Sequence, residues 1–492
     1  MHSTRFGRIV LVNFNIVLAL LSIPGCAVDS QTGEPVAVTA APLPRGGDPV
    51  RGRDLLLNNG TESTPYLSCG LPRGVVTIAS WFGIDLIGTG PTLPERKRGM
   101  ASLPYDVSFA KRPSGVEVVT TNCLLCHASK LGGSVVIGLG NANADFTQDQ
   151  SVFGLAPIAL DVVSVFLTPA ENAELARFRR VTEAESLFQR PDTKGMNPAD
   201  VLFGVLAAHR DEDTLHWLDE PKPDANLNLN LLYTDVPAWW NLHQKGNRMF
   251  YSGFGRGSHA RIMMTAALMC LEDTTEAAAI DAYFGDIEAF ILSLRPPRYV
   301  DVAKRAIDTT RADRGRTVYM STCSGCHGDS KNNVSPIPSV PASVVGTDDA
   351  YATSASLQGD GALAYYFDFF NNSWMGTHGD AGMLVREQTP QYAPPPLVGI
   401  WATAPYFHNG SVPTLDAVLD PSLRPTIFRR SFKPEEYDFE RLGWPYQSVL
   451  WKGSDVTVYD TRRWGYRNTG HTFAAGLTRA QRRDLLEYLK TL

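Results

Sequence analysis

A chain of 492 residues with 43% hydrophobic and 20% charged side chains can bury a large core, which excludes a disordered or collagen-like polypeptide and suggests roughly two to three domains. The formal charge is −6 and no basic block occurs, so nucleic acid and anionic lipid are not expected partners.

The N-terminus reads as an export signal over residues 1–25. Arg5 and Arg8 precede an apolar stretch, Ile9 to Ile23, broken only by Asn13, Asn15 and Ser22. The stretch is shorter than the about 20 residues a membrane span needs. Ile23-Pro24-Gly25-Cys26 is similar to a bacterial lipoprotein cleavage box, with Pro24 an unusual residue there. Cys26 is therefore a candidate lipid-anchored N-terminus, which places the protein on the outer membrane or outside the cell. An ordinary signal would leave it free in the periplasm. Losing residues 1–25 removes two arginines and no acid, so −6 becomes −8. Residues 26–49, with Pro35, Pro42, Pro44 and Gly46-Gly47, read as a flexible tether.

A first domain is expected over residues 50–299. Arg53 to Leu57 suggests a short helix, ended by Gly60 and Pro65, and the β-branched run Val116 to Val119 leads into Cys123-Leu124-Leu125-Cys126-His127. In this Cys-x-x-Cys-His spacing, two thiols on one helical turn can bond both vinyl groups of a haem, and the histidine binds iron from below. With 7 Cys and 10 His in the chain, chance gives on the order of 0.002 such pentapeptides, and a second, Cys323-Ser324-Gly325-Cys326-His327, is present. A zinc half-site would need a further Cys or His pair, and a redox dithiol has no need of the His. Two covalently bound c-type haems are expected, with Cys123, Cys126, Cys323 and Cys326 as attachment points and His127 and His327 on iron. Gly132-Gly133, Gly138 and Gly140 read as a flexible wrap, and Ala170 to Phe188 as a solvated helix.

Residues 201–270 have the most unusual local composition. Asp235-Val236-Pro237-Ala238-Trp239-Trp240 is followed by Met249 to Gly257 and by the apolar run Ile262 to Leu271, which suits the lining of a large apolar cofactor. Asp273 with Glu276 resembles a capping box. From there Ile280, Tyr283, Phe284, Ile287, Phe290, Ile291 and Leu294 form one helical face, closed by Pro296-Pro297.

A second domain, residues 300–492, begins with a helix over Ala303 to Met320 that leads into Cys323. It ends with a Thr478–Gln481 capping box and the stripe Leu485, Leu486, Leu489, Leu492. The expected fold is mainly α, with two cytochrome c-like haem domains in tandem and the first enlarged by insertions. Cys69 and Cys270 have no other job, and in an oxidising compartment they are expected to pair.

Two such motifs, followed by Ala404-Pro405-Tyr406-Phe407-His408-Asn409-Gly410-Ser411-Val412-Pro413-Thr414-Leu415, resemble the bacterial di-haem cytochrome c peroxidase and MauG superfamily. Asp235 to Trp240, Pro394 to Trp401 and Gly470-His471-Thr472-Phe473 look closer to its rubber-oxygenase branch. The resemblance implies one haem open to dioxygen or peroxide and one six-coordinate haem that stores or passes electrons. The peroxidases' methionine ligand after the His408-type histidine is missing: Ser422 stands there, and no Met follows Met383. His471 matches a distal histidine of the rubber-oxygenase pattern, whereas His408 orders its Asn409-Gly410 turn or meets a haem propionate. For the first haem, His209, His216, His243, His259 and the Met263 group stay open as distal ligands. The resemblance further implies Phe254 or Phe250 as an apolar lid and Trp239 or Trp240 as an electron relay. No Glu lies between His127 and Glu171, which argues against peroxidase-type proton transfer there.

The function expected is that of an exported di-haem oxidoreductase with peroxidase- or oxygenase-like chemistry. It would react with dioxygen or peroxide, draw on a redox partner protein, and take an apolar organic substrate. The alternative is a non-catalytic di-haem electron carrier.

Overall fold

The computed structural model describes residues 47–58, 69–147, 157–186, 190–227, 232–245, 251, 255–256, 259–329, 339–379 and 382–492. The export signal, Cys26, most of the tether, Gly60, Pro65, Phe250 and Phe254 lie outside the described residues.

In the first half, helix α1 (Pro49–Asn58) buries Leu55, Leu56 and Leu57. Strands β1 (Leu71–Pro72), β2 (Val107–Lys111) and β3 (Glu117–Thr121) pair antiparallel in the order β1-β3-β2, with Leu71 and Phe109 both facing Val119 in register. Helix α2 (Arg73–Trp81) follows β1 directly. β3 hands the chain to α3 (Leu124–His127), the single turn that carries the first motif. The glycines expected to form a flexible wrap instead build a hairpin. β4 (Ala128–Leu131) and β5 (Ser134–Ile137) are joined by Gly132-Gly133, whose φ values of 57° and 92° need glycine.

Helix α4 (Pro157–Ser164) is followed by α5 (Pro169–Glu185), which opens on a Thr168–Glu171 capping box. α5 is not merely solvated. It buries Leu175, Phe178 and Val181, and its buried Glu174 lies 3.4 Å from Arg112 and 3.3 Å from Arg177. Helix α6 (Ala199–Ala208) is apolar on nearly every side and fully packed. Helix α7 (Thr274–Ser293) carries the expected stripe, but only half of the expected box: Asp273 accepts the Glu276 N–H, while the Glu276 carboxylate turns to the Glu272 N–H at 2.7 Å. Cys69 and Cys270 form a disulfide with Cα atoms 5.0 Å apart, tying the start of the first half to the entry of α7.

The second half runs through α8 (Thr309–Thr322), α9 (Ser324–His327) and α10 (Ala362–Asn372). It continues into a sheet of β6 (Ile427–Arg430), β7 (Tyr446–Ser448) and β8 (Val458–Asp460), in the order β7-β6-β8, and ends with α11 (Arg479–Leu489). The Thr478–Gln481 box forms in full.

Both halves pin their terminal helices with a glycine. A Cβ at Gly52 of α1 would lie 1.8 Å from the Asp286 carbonyl oxygen of α7, and one at Gly315 of α8 would lie 1.9 Å from that of Asp484 in α11. At Gly204, α6 closes in the same way on the Ala362 carbonyl of α10 (2.2 Å), joining the two halves. One apolar cluster runs from Leu55 through Trp240, Ile287 and Phe367 to Leu489.

The expectation of a mainly α fold is overturned. With 42% helix and 12% strand in several small sheets, the protein is mixed α/β. The physical reason is local. Segments between the helices carry runs of β-branched residues, as in Glu117–Thr121, and adjacent extended segments satisfy one another's backbone groups as short antiparallel ribbons. Among the described residues no helix is long and apolar enough to cross a membrane.

Candidate cofactor site

The first motif is held by asparagines that flank it. Buried Asn122 accepts the Leu124 N–H (2.8 Å) and donates to the Tyr105 carbonyl and the Ser108 hydroxyl (2.9 Å each), fixing the start of α3. Asn141 donates its backbone N–H to the Cys126 carbonyl and its side chain to the Leu125 carbonyl, both at 2.8 Å. The Gly138 N–H closes on the His127 carbonyl (2.8 Å), and Gly138 then accepts the Trp239 N–H (2.8 Å). The Trp239 ring stacks on the His127 ring at 4.4 Å and 18°. From the second half, buried Arg430 donates to the carbonyl of Ala142, next to Asn141. Burial pushes the Arg430 guanidinium down to about 9, against the pull of Asp235.

Burial pushes the His127 imidazole down to about 3, with the Pro237 carbonyl acting in the opposite sense, so the ring is neutral at physiological pH. Burial, aided by Cys123 and Asp106, pushes the Cys126 thiol up to about 12. A reactive redox dithiol needs a depressed thiol, so the electrostatics oppose that role and suit thiols consumed by a covalent bond.

The second motif repeats the arrangement. His327 donates from Nδ1 to the Pro395 carbonyl at 2.9 Å, which turns Nε2 outward as the free ligand nitrogen. Burial pushes the Cys323 thiol up to about 11 and lowers the His327 pKa. Here a second imidazole faces the first: the His471 ring centre is 6.2 Å from that of His327, with the planes at 56°. With metal–nitrogen bonds of about 2.0 Å and ring centres about 1.1 Å behind the nitrogens, two imidazoles on one iron stand roughly 6.2 Å apart. The pair fits an iron between them.

The loop that presents His471 is held by several backbone contacts. His471 has φ 44°, and a Cβ at the preceding Gly470 would lie 2.0 Å from the Gly346 backbone. The His471 N–H donates to the Val345 carbonyl (2.7 Å), and Arg424 donates to the carbonyls of Asn468 (2.9 Å) and Gly470 (2.7 Å). Phe407 and Phe473 flank the ring at 6.0 and 5.3 Å. Burial pushes His471 down to about 4, with His327 and Arg424 adding to the shift. Its Nδ1 is buried with no partner among the described residues, as are Asn241 Oδ1 and Gln244 Oε1 on the turn after Trp240. Such orphaned polar atoms fit a polar or metal-bearing group beside them.

The other candidates fall into place around these two. Trp240 is fully buried and donates from Nε1 to the Val398 carbonyl at 3.0 Å, in the segment that also holds Pro395. Trp239 thus touches the first histidine while Trp240 touches the support of the second. His408 lies away from both: its ring stacks on Tyr392 at 4.7 Å, with Nε2 3.2 Å from the Tyr392 hydroxyl. Its carbonyl accepts the Asp235 N–H (2.7 Å), the Asp235 carbonyl accepts the Tyr251 hydroxyl (3.0 Å), and the Tyr251 carbonyl accepts the Ala393 N–H (2.7 Å). His408 therefore ties the segment bearing Pro237 to the one bearing Pro395. His209 stacks on Trp217 and bonds the Leu218 carbonyl, and His243 bonds the Trp240 carbonyl. Among the described residues no three His, Cys, Asp or Glu side chains gather as an ion-binding cluster. Pro395, Asn122, Asn141 and Arg424 escaped the sequence reading because their contacts run to or from backbone groups, which leaves no spacing signature.

Residues 391–429, which include Tyr392, Pro395, His408 and Arg424, match the family described as RoxA-like, cytochrome c-like. The match marks one small cytochrome-like domain, which overturns the expectation of two cytochrome c-like haem domains in tandem. Two proteins of Sinorhizobium fredii (strain NBRC 101917 / NGR234) are similar to this chain. The uncharacterized protein y4iJ is 30% identical over 260 residues, covering 40% of this chain and 41% of y4iJ. The uncharacterized protein y4iM is 26% identical over 290 residues, covering 52% of this chain and 64% of y4iM. The matched stretches span less than two thirds of either relative. The family match relates the chain to the RoxA-like cytochromes, and with that relationship come c-type haem and, at a coarse level, haem oxidoreductase chemistry.

Proposed function

We propose that the protein is an exported di-haem c-type cytochrome oxidoreductase whose two haems do different work. Cys123, Cys126 and His127 would hold one haem, and Cys323, Cys326, His327 and His471 the other. Bound there, haem supplies one-electron chemistry and, where an axial position is exchangeable, a site for dioxygen or peroxide. The observation that carries the reading is the facing His327–His471 pair at 6.2 Å. No described contact brings a second imidazole to His127, whose neighbour is Trp239.

The chain's own residues then have distinct tasks. The Pro395 carbonyl sets the tautomer of His327 and raises its basicity. Trp239 and Trp240 lie on consecutive residues between the two supports and suit an electron relay. Buried Trp240, Met264 and Leu268 keep the interior around the first site dry, which strengthens fixed electrostatics there. Phe254, outside the described residues, keeps in this proposal the role of apolar lid that the resemblance implies. Export, the anchor at Cys26, the redox partner and an apolar organic substrate belong to the same proposal.

Carbon monoxide added to the reduced protein tests it. Half of the haem should shift its absorption and half should not. If neither haem binds an external ligand when reduced, the enzyme reading fails and the electron-carrier reading replaces it.

A further inference from the structure

Away from both motifs, α2 and α4 pack side by side on a small satellite cluster of Leu71, Val75, Leu175 and Phe178 that is separate from the main core. Their outer ends leave five large apolar side chains in solvent. Trp81 is 73% exposed, Phe82 75%, Val162 59%, Val165 79% and Phe166 71%. Together they present on the order of 500 Å² of apolar surface, the size at which a patch on a soluble protein marks a binding face.

The charges around the patch are already satisfied. Asp161 pairs with Arg179 at 2.6 Å, Arg73 pairs with Glu117, and Asp85 accepts the N–H groups of Ile87 and Gly88 at 3.0 Å each. Paired charges of both signs give a strongly charged protein partner little to complement among the described residues. Tryptophan and phenylalanine at the end of a short amphipathic helix suit the interface of a bilayer, where an apolar ring and a polar edge are both accommodated.

The chain outside the structure favours the same occupant. Cys26, read as a lipid-anchored N-terminus, is joined to Gly47 by residues 27–46, which extend to at most about 70 Å. That reach lets the body settle on the surface that holds the anchor. A single acyl chain binds only marginally, and a second contact makes attachment stable. We propose that Trp81, Phe82, Val162, Val165 and Phe166 form a docking surface that seats the N-terminal half on a zwitterionic lipid bilayer.

The test separates the patch from the anchor by using full-length, haem-loaded Cys26→Ser protein, which carries no acyl chain. Floated with phosphatidylcholine vesicles, it should partition to lipid equally at low and high salt. Adding Trp81→Ser, Phe82→Ser and Phe166→Ser should lower the partition coefficient at least tenfold, with the haem spectrum unchanged as evidence of folding. Leu450→Ser with Trp451→Ser, which removes the other highly exposed apolar tip, should leave binding intact. The proposal is overturned if the Cys26→Ser protein stays in the lipid-free fractions at every lipid concentration, or if the triple variant floats as well as its parent. It is also overturned if the patch instead drives a dimer that the triple variant dissolves in sedimentation. Loss of membrane attachment in cells on Cys26→Ser alone concerns the anchor and leaves the vesicle result to judge the patch.

Discussion

The two motif histidines begin alike and end differently. His127 and His327 each follow a Cys-x-x-Cys turn; His327 donates to the Pro395 carbonyl, while the buried His127 Nδ1 has no hydrogen-bond partner among the described residues. Across from His327, a loop held by Arg424 and Gly470 presents His471. Beside His127, the Trp239 ring takes up one face, and His209 and His243 turn to other partners. The pentapeptide decides where a haem is attached. What the iron can then do depends on residues far away in sequence, supplied by tertiary packing.

The largest test of this contrast is His471→Ala. The second haem should change from low-spin to high-spin in its visible spectrum, while carbon monoxide binding at the first stays intact. An unchanged low-spin spectrum would remove His471 as ligand and turn attention to Met375, His378, Met383 or His408.

Next in size is the asymmetry of covalent bracing. Only the first half is crosslinked by Cys69–Cys270, across a sequence separation of 201. Replacing both by Ala should cost about 2–4 kcal/mol, read as a lower denaturation midpoint. A loss confined to the second half, seen by hydrogen exchange, would contradict this placement.

The two helix crossings, by contrast, should respond equally. Gly52→Ala and Gly315→Ala each force a methyl group into a backbone carbonyl and should cost about 1–3 kcal/mol. Gly325→Ala, with nothing within 4 Å of its Cβ, should stay within about 0.5 kcal/mol in thermal melts. Unequal losses at Gly52 and Gly315 would show that one half leans on its crossing more than the other.

The smallest effect at neutral pH concerns His408, which bridges the two supports. Burial holds its pKa near about 3, below the ordinary 6.5, so the unfolded chain binds the extra proton first. Its contribution to stability is therefore complete above pH 6.5 and is lost as pH falls toward 3. A His408→Gln variant should show a flatter fall in denaturation midpoint over that window. An unchanged slope would mean that His408 does not titrate against folding.

Much of the local structure was legible. The α7 stripe and the Thr478–Gln481 box follow from apolar spacing and from a side chain that reaches its own backbone three residues on, both short-range effects. The disulfide was legible by counting cysteines. The β4–β5 hairpin was missed because paired glycines suit a tight turn as well as a loose loop, and only strand pairing distinguishes the two. Glu174 on α5 looked solvated because its partners, Arg112 and Arg177, are brought to it by packing.

By itself the sequence set out the two Cys-x-x-Cys-His turns, because the spacing that c-type haem attachment uses occupies only five consecutive residues on one helical turn. It determined a few helix starts as well, at Asp273 and Thr478, since caps act within a few residues. Only the tertiary structure decided that the fold is mixed rather than mainly α, because strands acquire their hydrogen-bond partners from other segments. It alone set His471 opposite His327, put Trp239 against His127, and made His408 a tie between two supports. Those are contacts between residues tens to hundreds of positions apart, which no local spacing can encode.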